Sequence, residues 1–183
     1  DPTFIPLVES VQDKLDTVKT IIIASSKDLI PENNLKNALS YDELIKDESD
    51  EYDWPEVNED DAVALCYTSG TTGNPKGVLY SHRSTILHAI SVSGAMGFDS
   101  SSSVLPVVPM FHVNAWGVPY CALITGITLV LPCHALDGES LYELVKQESV
   151  DSMLGVPTVW LGLLQYLEGK GLRLDTVDQV LVG

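Results

Sequence analysis

Positive charge is scarce in this chain. Its 183 residues hold 10 Lys and Arg against 26 Asp and Glu, a net charge of −16. A polyanion would be held against that repulsion, which argues against nucleic acid as a partner. Cysteine is scarce as well. Cys66, Cys121 and Cys133 are odd in number and show no metal-ligand spacing, so neither a disulfide framework nor a cysteine metal site is expected. Each sits among apolar residues, and all three are expected to be reduced core thiols of a cytosolic protein. The opening Asp1-Pro-Thr-Phe4 has no initiating Met, and no signal peptide is expected. From Ser100 to Leu136 there is no Asp, Glu, Lys or Arg. A run of that kind invites a membrane-spanning reading. Pro106, Pro109, Pro119 and Pro132 interrupt it, and His112 and Asn114 lie inside it, so buried strands joined by a helix are expected rather than a transmembrane segment.

What is present is a globular pattern. Hydrophobic residues make up 45%, enough to bury a sizeable core. Acid is concentrated in Asp42–Asp61, DELIKDESDEYDWPEVNEDD, where Lys46 is the one cation. Residues 42–61 are expected to be a solvated linker. Leu7, Val8, Val11, Leu15 and Val18 fall at helical spacing, and Thr20–Ala24 and Ala62–Thr68 read as buried strands. Helices are expected over 84–96, 116–125, 141–147 and 158–168, with Asp137 or Ser140 as the cap of the third. Strands are expected over 104–108, 128–131, 152–156 and 179–182. Alternation of this kind predicts an α/β fold with mainly parallel sheets and helices on the faces. The last residues, Val180-Leu-Val-Gly183, stop in mid-pattern, and the chain is expected to be an excised piece of a larger domain.

The segment that carries chemistry is Tyr67-Thr-Ser-Gly-Thr-Thr-Gly-Asn-Pro-Lys-Gly77. It follows an expected strand, where ligand loops lie in parallel α/β sheets. Its glycines let backbone N–H groups approach a ligand, four hydroxyls add donors, and Lys76 adds a cation, a set that suits a polyphosphate. It is not a Walker A loop, because Pro75 precedes Lys76 and Gly77 follows it. The bland alternative is an exposed Gly/Thr turn.

Residues 68–77 closely resemble the phosphate-loop signature of the adenylate-forming superfamily, which includes acyl-CoA synthetases, luciferases and peptide-synthetase adenylation domains. Val78-Leu-Tyr-Ser-His-Arg83 fits the continuation of that signature. Pro109-Met-Phe-His-Val-Asn-Ala-Trp-Gly117 resembles the acyl-gate motif of the medium- and long-chain fatty acyl-CoA synthetases, and Gly155-Val-Pro-Thr-Val-Trp-Leu161 looks like their strand-to-helix element along the acyl tunnel. The resemblance runs from Leu7 to Gly183. It implies a fragment of the large N-terminal, AMP-binding domain of an AMP-forming acyl-CoA ligase.

Several roles follow from that resemblance alone. Thr68, Ser69, Gly70, Thr71, Thr72, Gly73 and Lys76 would contact the phosphates of ATP, and Thr68 would help hold Mg2+. Lys76 and His112 would be catalytic. His112 and Val113 would lie beside the nucleotide and the acyl carboxylate, and Trp116 would close the fatty-acid tunnel until ATP binds. Fatty acid, ATP and coenzyme A would be the substrates, in a cytoplasmic enzyme or one peripheral at a membrane, with a homodimer allowed for the full-length protein. The adenine-binding motif, its magnesium-binding glutamate, the ribose-binding aspartate and a C-terminal lysine are not in these residues, so the fragment alone is expected to be inactive. Taken singly, Trp116 would be a core aromatic and His112 a satisfied histidine, and His82, His88 and His134 are left as structural or solvent-facing. Two other readings stand beside the first: an aryl or other carboxylate-adenylating enzyme, and a non-catalytic nucleotide-binding module.

Overall fold

The computed structural model describes residues 1–68 and 73–183, and the chain divides into two compact units, Asp1–Glu56 and Val57–Gly183. In the first unit, helix α1 covers Ile5–Val11, strand β1 Ile21–Ile23, strand β2 Ala38–Ser40 and helix α2 Tyr41–Ile45. β1 and β2 pair in parallel, Ile21 opposite Ala38 and Ile23 opposite Ser40. The helix expected over 7–18 ends early. After α1 comes a 3-10 turn at Gln12–Lys14, and Leu15 leaves the helical region at φ −97, ψ 59. Tertiary bonds override the periodicity here: Gln12 Oε1 accepts from the Lys36 amide at 3.0 Å, and Asp13 pairs with Lys36 Nζ at 2.6 Å. β1 is not the buried strand expected, since Ile22 is exposed and Ile23 alone is buried.

The acidic stretch begins inside a helix. The Ser40 hydroxyl accepts from the Glu43 amide and donates to the Ser25 carbonyl at 2.7 Å, which starts α2 over the first residues read as linker. From Lys46 to Asp61 there is no helix or strand and every residue is exposed.

The second unit holds strands β3 (Ala62–Thr68), β4 (Lys76–Ser81), β5 (Ser103–Val107), β6 (Thr128–Leu129), β7 (Ser152–Gly155) and β8 (Gln179–Val182), with helices α3 (His82–Met96), α4 (Val118–Thr125), α5 (Gly138–Gln147) and α6 (Pro157–Lys170). The sheet that organises it is four-stranded and parallel, in the order β6-β5-β7-β8. Alternate residues of its central strands divide between two cores. Leu105, Val107 and Met153 pack with Leu141 and Val145 of α5 and Trp160, Leu163 and Leu167 of α6. Val104 and Leu154 pack with Ala89 of α3 and Val118 and Cys121 of α4. Helices therefore cover both faces, which is why these strands read as unbroken apolar runs. The protein is an α/β fold built on a parallel sheet.

Several expectations are corrected. β3 is not a buried strand of that sheet. It forms a two-stranded antiparallel hairpin with β4, and Val63, Leu65 and Tyr67 are exposed while Cys66 is buried. An apolar run of this length fits either setting; here Cys66 turns inward while Leu65 and Tyr67 on the alternate face are uncovered. The helix expected from Trp116 begins at Val118, after the left-handed Gly117, and the strand expected over 128–131 is only Thr128–Leu129. Cys133 is exposed at φ 51 rather than in the core, because that strand has ended before it. Of the two cap candidates for α5, Asp137 is the cap. Its carboxylate accepts from the Ser140 amide at 3.0 Å and from the Ser140 hydroxyl at 2.7 Å, bonds that hold its carboxyl below the ordinary value.

Leu141 is fully buried between α5 and α6. Leu141→Ala should cost about 2–5 kcal/mol in urea unfolding, whereas Leu123→Ala at an 86% exposed position should change stability by no more than ~0.5 kcal/mol. Equal losses at the two positions would contradict the core assignment.

Candidate functional site

The phosphate-loop candidate is the mouth of the β3–β4 hairpin. Thr68 and Lys76 stand opposite each other in the ladder, and the Thr68 hydroxyl donates to the Lys76 carbonyl at 3.5 Å. Ser69, Gly70, Thr71 and Thr72 lie outside the described residues. Gly73 has φ +142, a conformation that side-chain-bearing residues rarely adopt. Lys76 is a strand residue, so the segment read as a loop over 68–77 joins two antiparallel strands and carries strand residues at both ends. It does not follow a strand of the parallel sheet. The Lys76 side chain is exposed and, among the described residues, makes no ion pair; Arg83 is paired with Glu59 at 2.8 Å.

Charge in the surrounding sequence is one-sided. Between Ala62 and Leu136 the single acid is Asp99, although the chain carries 26 acids in all. An anion offered to Lys76 therefore meets little negative charge from neighbouring sequence. The scarcity of acid in this stretch is legible in the sequence itself.

The gate candidate is built differently. β5 leads into Val108, which is buried, and then into Pro109, Met110 and Phe111, which are exposed. The exposed His112 donates its amide to the Pro109 carbonyl at 3.0 Å. Next come Val113, Asn114, Ala115 and Trp116 at φ 49, 49, 48 and 56, followed by Gly117 at φ 77. Consecutive left-handed residues other than glycine are strained, by roughly 1–2 kcal/mol each. Three fastenings hold the turn. Ala115 is buried, 1% exposed, in the core beside α3 and α4. Asn114 Oδ1 accepts from the Cys66 thiol at 3.4 Å. The Trp116 carbonyl lies 3.1 Å from His88 Nε2, which must be the protonated nitrogen for the bond to form.

The Trp116 indole is half-buried against the backbone of Gly183, where a Cβ would come within 2.8 Å of the ring. The Gly183 amide donates to the Gly155 carbonyl at 3.3 Å. A Cβ on Gly155 would in turn meet the Trp160 ring at 2.6 Å, and Trp160 Nε1 donates to the Leu181 carbonyl at 3.2 Å. Trp116 and the Gly155–Trp160 segment thus gather at the carboxyl ends of β7 and β8, the edge of a parallel sheet where ligands bind. Under the turn, on the α3 side, lies a cavity of about 250 Å³ lined by Tyr80, Thr85, His88, Asn114, Gly117 and Tyr120 among others. A more open groove of about 390 Å³ runs past Pro106, Met110, Phe111, Leu131, Cys133 and Leu136.

Cys66, His88 and Asn114 were not among the residues the sequence picked out. The positions buried on α3, Thr85, Ala89 and Ser93, recur every four residues, and His88 is exposed beside that stripe, three residues on from Thr85. The stripe does not mark His88, whose role rests on a contact 28 residues away in sequence. Nothing local marks Asn114, beyond the tolerance of Asn for left-handed dihedrals.

Metal ligands are few. Among the described residues no group of three or more His, Cys, Asp or Glu is placed to hold an ion. Magnesium takes oxygen ligands, keeps several waters and usually binds through one or two carboxylates with substrate phosphates. The Thr68 hydroxyl fits as one such oxygen and does not make a site by itself.

The AMP-binding enzyme family matches residues 2–183. A medium-chain-fatty-acid–CoA ligase of Ectopseudomonas oleovorans is 45% identical over the whole of this chain and 34% of its own length. A 3-methylmercaptopropionyl-CoA ligase of Ruegeria pomeroyi is 44% identical, again over the whole chain and 34% of its length. The chain therefore spans about a third of these curated relatives. In structure it resembles O-succinylbenzoate coenzyme A synthetase of Bacillus subtilis in complex with AMP, with TM-score 0.70 and 22% identity over 96% of this chain and 45% of that one. At that identity the likeness concerns the fold alone.

Gly117 tests how the turn is fastened. An added Cβ would come within 2.6 Å of His88 Cδ2 at a residue already held at φ +77. Gly117→Ala should break the His88–Trp116 bond and destabilise the chain by about 1–3 kcal/mol. Imidazole shifts in NMR and urea midpoints would read both effects; an unchanged His88 signal would mean that the turn is not fastened there.

Proposed function

The chain belongs to the AMP-binding enzyme family, and from that premise we propose that the protein joins an aliphatic carboxylic acid to coenzyme A through an acyl-adenylate, with AMP and pyrophosphate released. The observation that carries the reading is the hairpin mouth, where exposed Lys76 faces Thr68 in a stretch of sequence nearly empty of acid. In the first step a carboxylate oxygen of the acid bonds to the α-phosphorus of ATP. The bond from that phosphorus to the bridging oxygen breaks, and the electron pair leaves with pyrophosphate. Lys76 and the loop donors neutralise the charge that collects on this leaving group. In the second step the sulfur of coenzyme A bonds to the acyl carbon, AMP leaves with the electron pair, and the thiol gives up its proton. Magnesium, carried in with the ATP phosphates and touched by Thr68, would offset charge on them.

The acyl side of the reading rests on the turn. His112 stands at its start and Trp116 at its end, the indole at the carboxyl edge of the sheet. In this proposal His112 and Val113 flank the reacting carboxylate, and Trp116 bars the acyl chain until ATP arrives. An adenylate is destroyed by water, so an apolar, closable approach serves the chemistry. A fatty acid is the acyl substrate we favour, because apolar residues line the nearby groove. The relatives' names cover both a medium-chain fatty acid and a short thioether acid, so the class they have in common is an aliphatic acid. The residues 1–183 alone are proposed to lack turnover.

Three measurements test this. In the full-length protein Lys76→Ala should slow adenylate formation by about 100-fold or more in single turnover and thioester formation from preformed adenylate much less. Equal losses in both half-reactions would remove Lys76 from the pyrophosphate. Trp116→Ala should weaken the ATP dependence of fatty-acid binding; a variant with the wild-type dependence would make Trp116 an ordinary packing residue. No AMP from any acid tried with the wild-type protein would favour the nucleotide-binding module instead.

A further inference from the structure

The wall of the cavity beneath the left-handed turn holds a buried polar atom that has no partner among the described residues. Thr85 lies in the first turn of α3 and is 8% exposed, yet its Oγ1 has no hydrogen-bond partner among the described residues. A helical threonine ordinarily returns its hydroxyl to a carbonyl one turn back. Here the carbonyl of Ser81 already accepts from the Ser84 hydroxyl at 3.1 Å, and the Ser81 hydroxyl already accepts from the Ser84 amide, also at 3.1 Å. The Thr85 hydroxyl is left on the cavity wall.

Two of the neighbouring polar atoms are engaged elsewhere. Asn114 Oδ1 accepts from the Cys66 thiol, and His88 Nε2 bonds to the Trp116 carbonyl. Whatever enters the cavity meets the buried, unpaired hydroxyl of Thr85, able to donate and to accept, between the half-buried Tyr80 and Tyr120. Valine would fill the same space without leaving a buried polar group unpaired. A threonine at this place makes physical sense if an occupant pairs with it.

We infer that this cavity receives part of the acyl chain of the acid substrate and that Thr85 selects chains bearing an oxygen, as a hydroxyl or oxo group, over plain hydrocarbon chains. The inference rests on the acid–CoA ligation reading and narrows its substrate class. The turn that roofs the cavity also carries Trp116, so a chain lodged here lies directly under the gate candidate. A site built around a buried hydroxyl discriminates against analogues that leave it unpaired.

The test compares octanoate with each hydroxyoctanoate isomer on the full-length protein, as wild type, Thr85→Val and Thr85→Ser. At least one hydroxy isomer should be favoured over octanoate by about tenfold in kcat/KM; Thr85→Val should erase that preference and Thr85→Ser should keep it. Thr85→Ala stands in should the valine variant fail to fold. A preference for octanoate over every isomer in wild type, or a ratio that Thr85→Val leaves unchanged, overturns the inference, the latter meaning that the hydroxyl holds only a water. Calorimetric titration of the same acids reads the cavity without turnover. A Thr85-dependent preference in binding with no AMP formed from any acid would sink the ligation reading and keep the pocket. AMP formation without such a preference in binding or turnover would sink the pocket alone.

Discussion

The left-handed turn from Val113 to Gly117 is the constraint on which the candidate site depends. No residue before Gly117 prefers that conformation, and Val113 and Trp116 disfavour it strongly, so the turn persists only because its surroundings over-determine it. Ala115 is pinned in the core by the helices that cover one face of the parallel sheet. Asn114 is tied to β3 and the Trp116 carbonyl to α3. Removing any one of these would let four residues relax toward ordinary dihedrals. The indole's position over Gly183 and the cavity beneath the turn both follow from this geometry.

Charge is arranged on a larger scale. The chain is strongly acidic, yet its acids crowd outside the stretch from Ala62 to Leu136 that supplies the hairpin mouth, the turn and the cavity. Acid placed near the mouth would repel a polyphosphate, and acid placed near the sheet would have to be buried. The same emptiness serves both requirements. Asp99, the exception, is spent locally, accepting from the hydroxyl and amide of Ser101, which hold its carboxyl below the ordinary value.

How much was legible follows from how local each feature is. Strands β5, β7 and β8 and helices α5 and α6 could be placed from sequence because each is an apolar run or stripe bounded by its own stop signals. Asp137 announces α5 by a cap that needs nothing beyond Ser140. The first unit was poorly legible, because β1 and β2 are three-residue strands and a bond network to Lys36 cuts short the helix that the spacing of Leu15 and Val18 implies. β4 was hidden inside the loop reading: Lys76-Gly77 looks like loop chemistry, and only pairing with Thr68 and Tyr67 makes it strand. Lys76, His112 and Trp116, to which the proposed function gives roles, were picked out by motif, while the contacts of Cys66, His88, Asn114 and Thr85 were not. What these four do depends on contacts across 28 to 48 residues, or on a bond that fails to form.

Among those contacts, Cys66–Asn114 joins the two halves of the proposed chemistry. Strand alternation puts Cys66 and Thr68 on the same face of β3, two residues apart. One side chain is at the hairpin mouth and the other touches the turn. Under the proposed function, a shift of Thr68 toward a bound phosphate would reach the thiol through a single paired strand. That thiol is a weak donor, and the turn it helps to hold is strained. Of the three fastenings this thiol bond is the weakest, and under the proposed function it is the one that a bias from the hairpin mouth would loosen first. Under the proposed function this is the property a gate opened by ATP requires. A salt bridge or a fully packed aliphatic pair in place of Cys66 and Asn114 would hold the turn more firmly and couple it less.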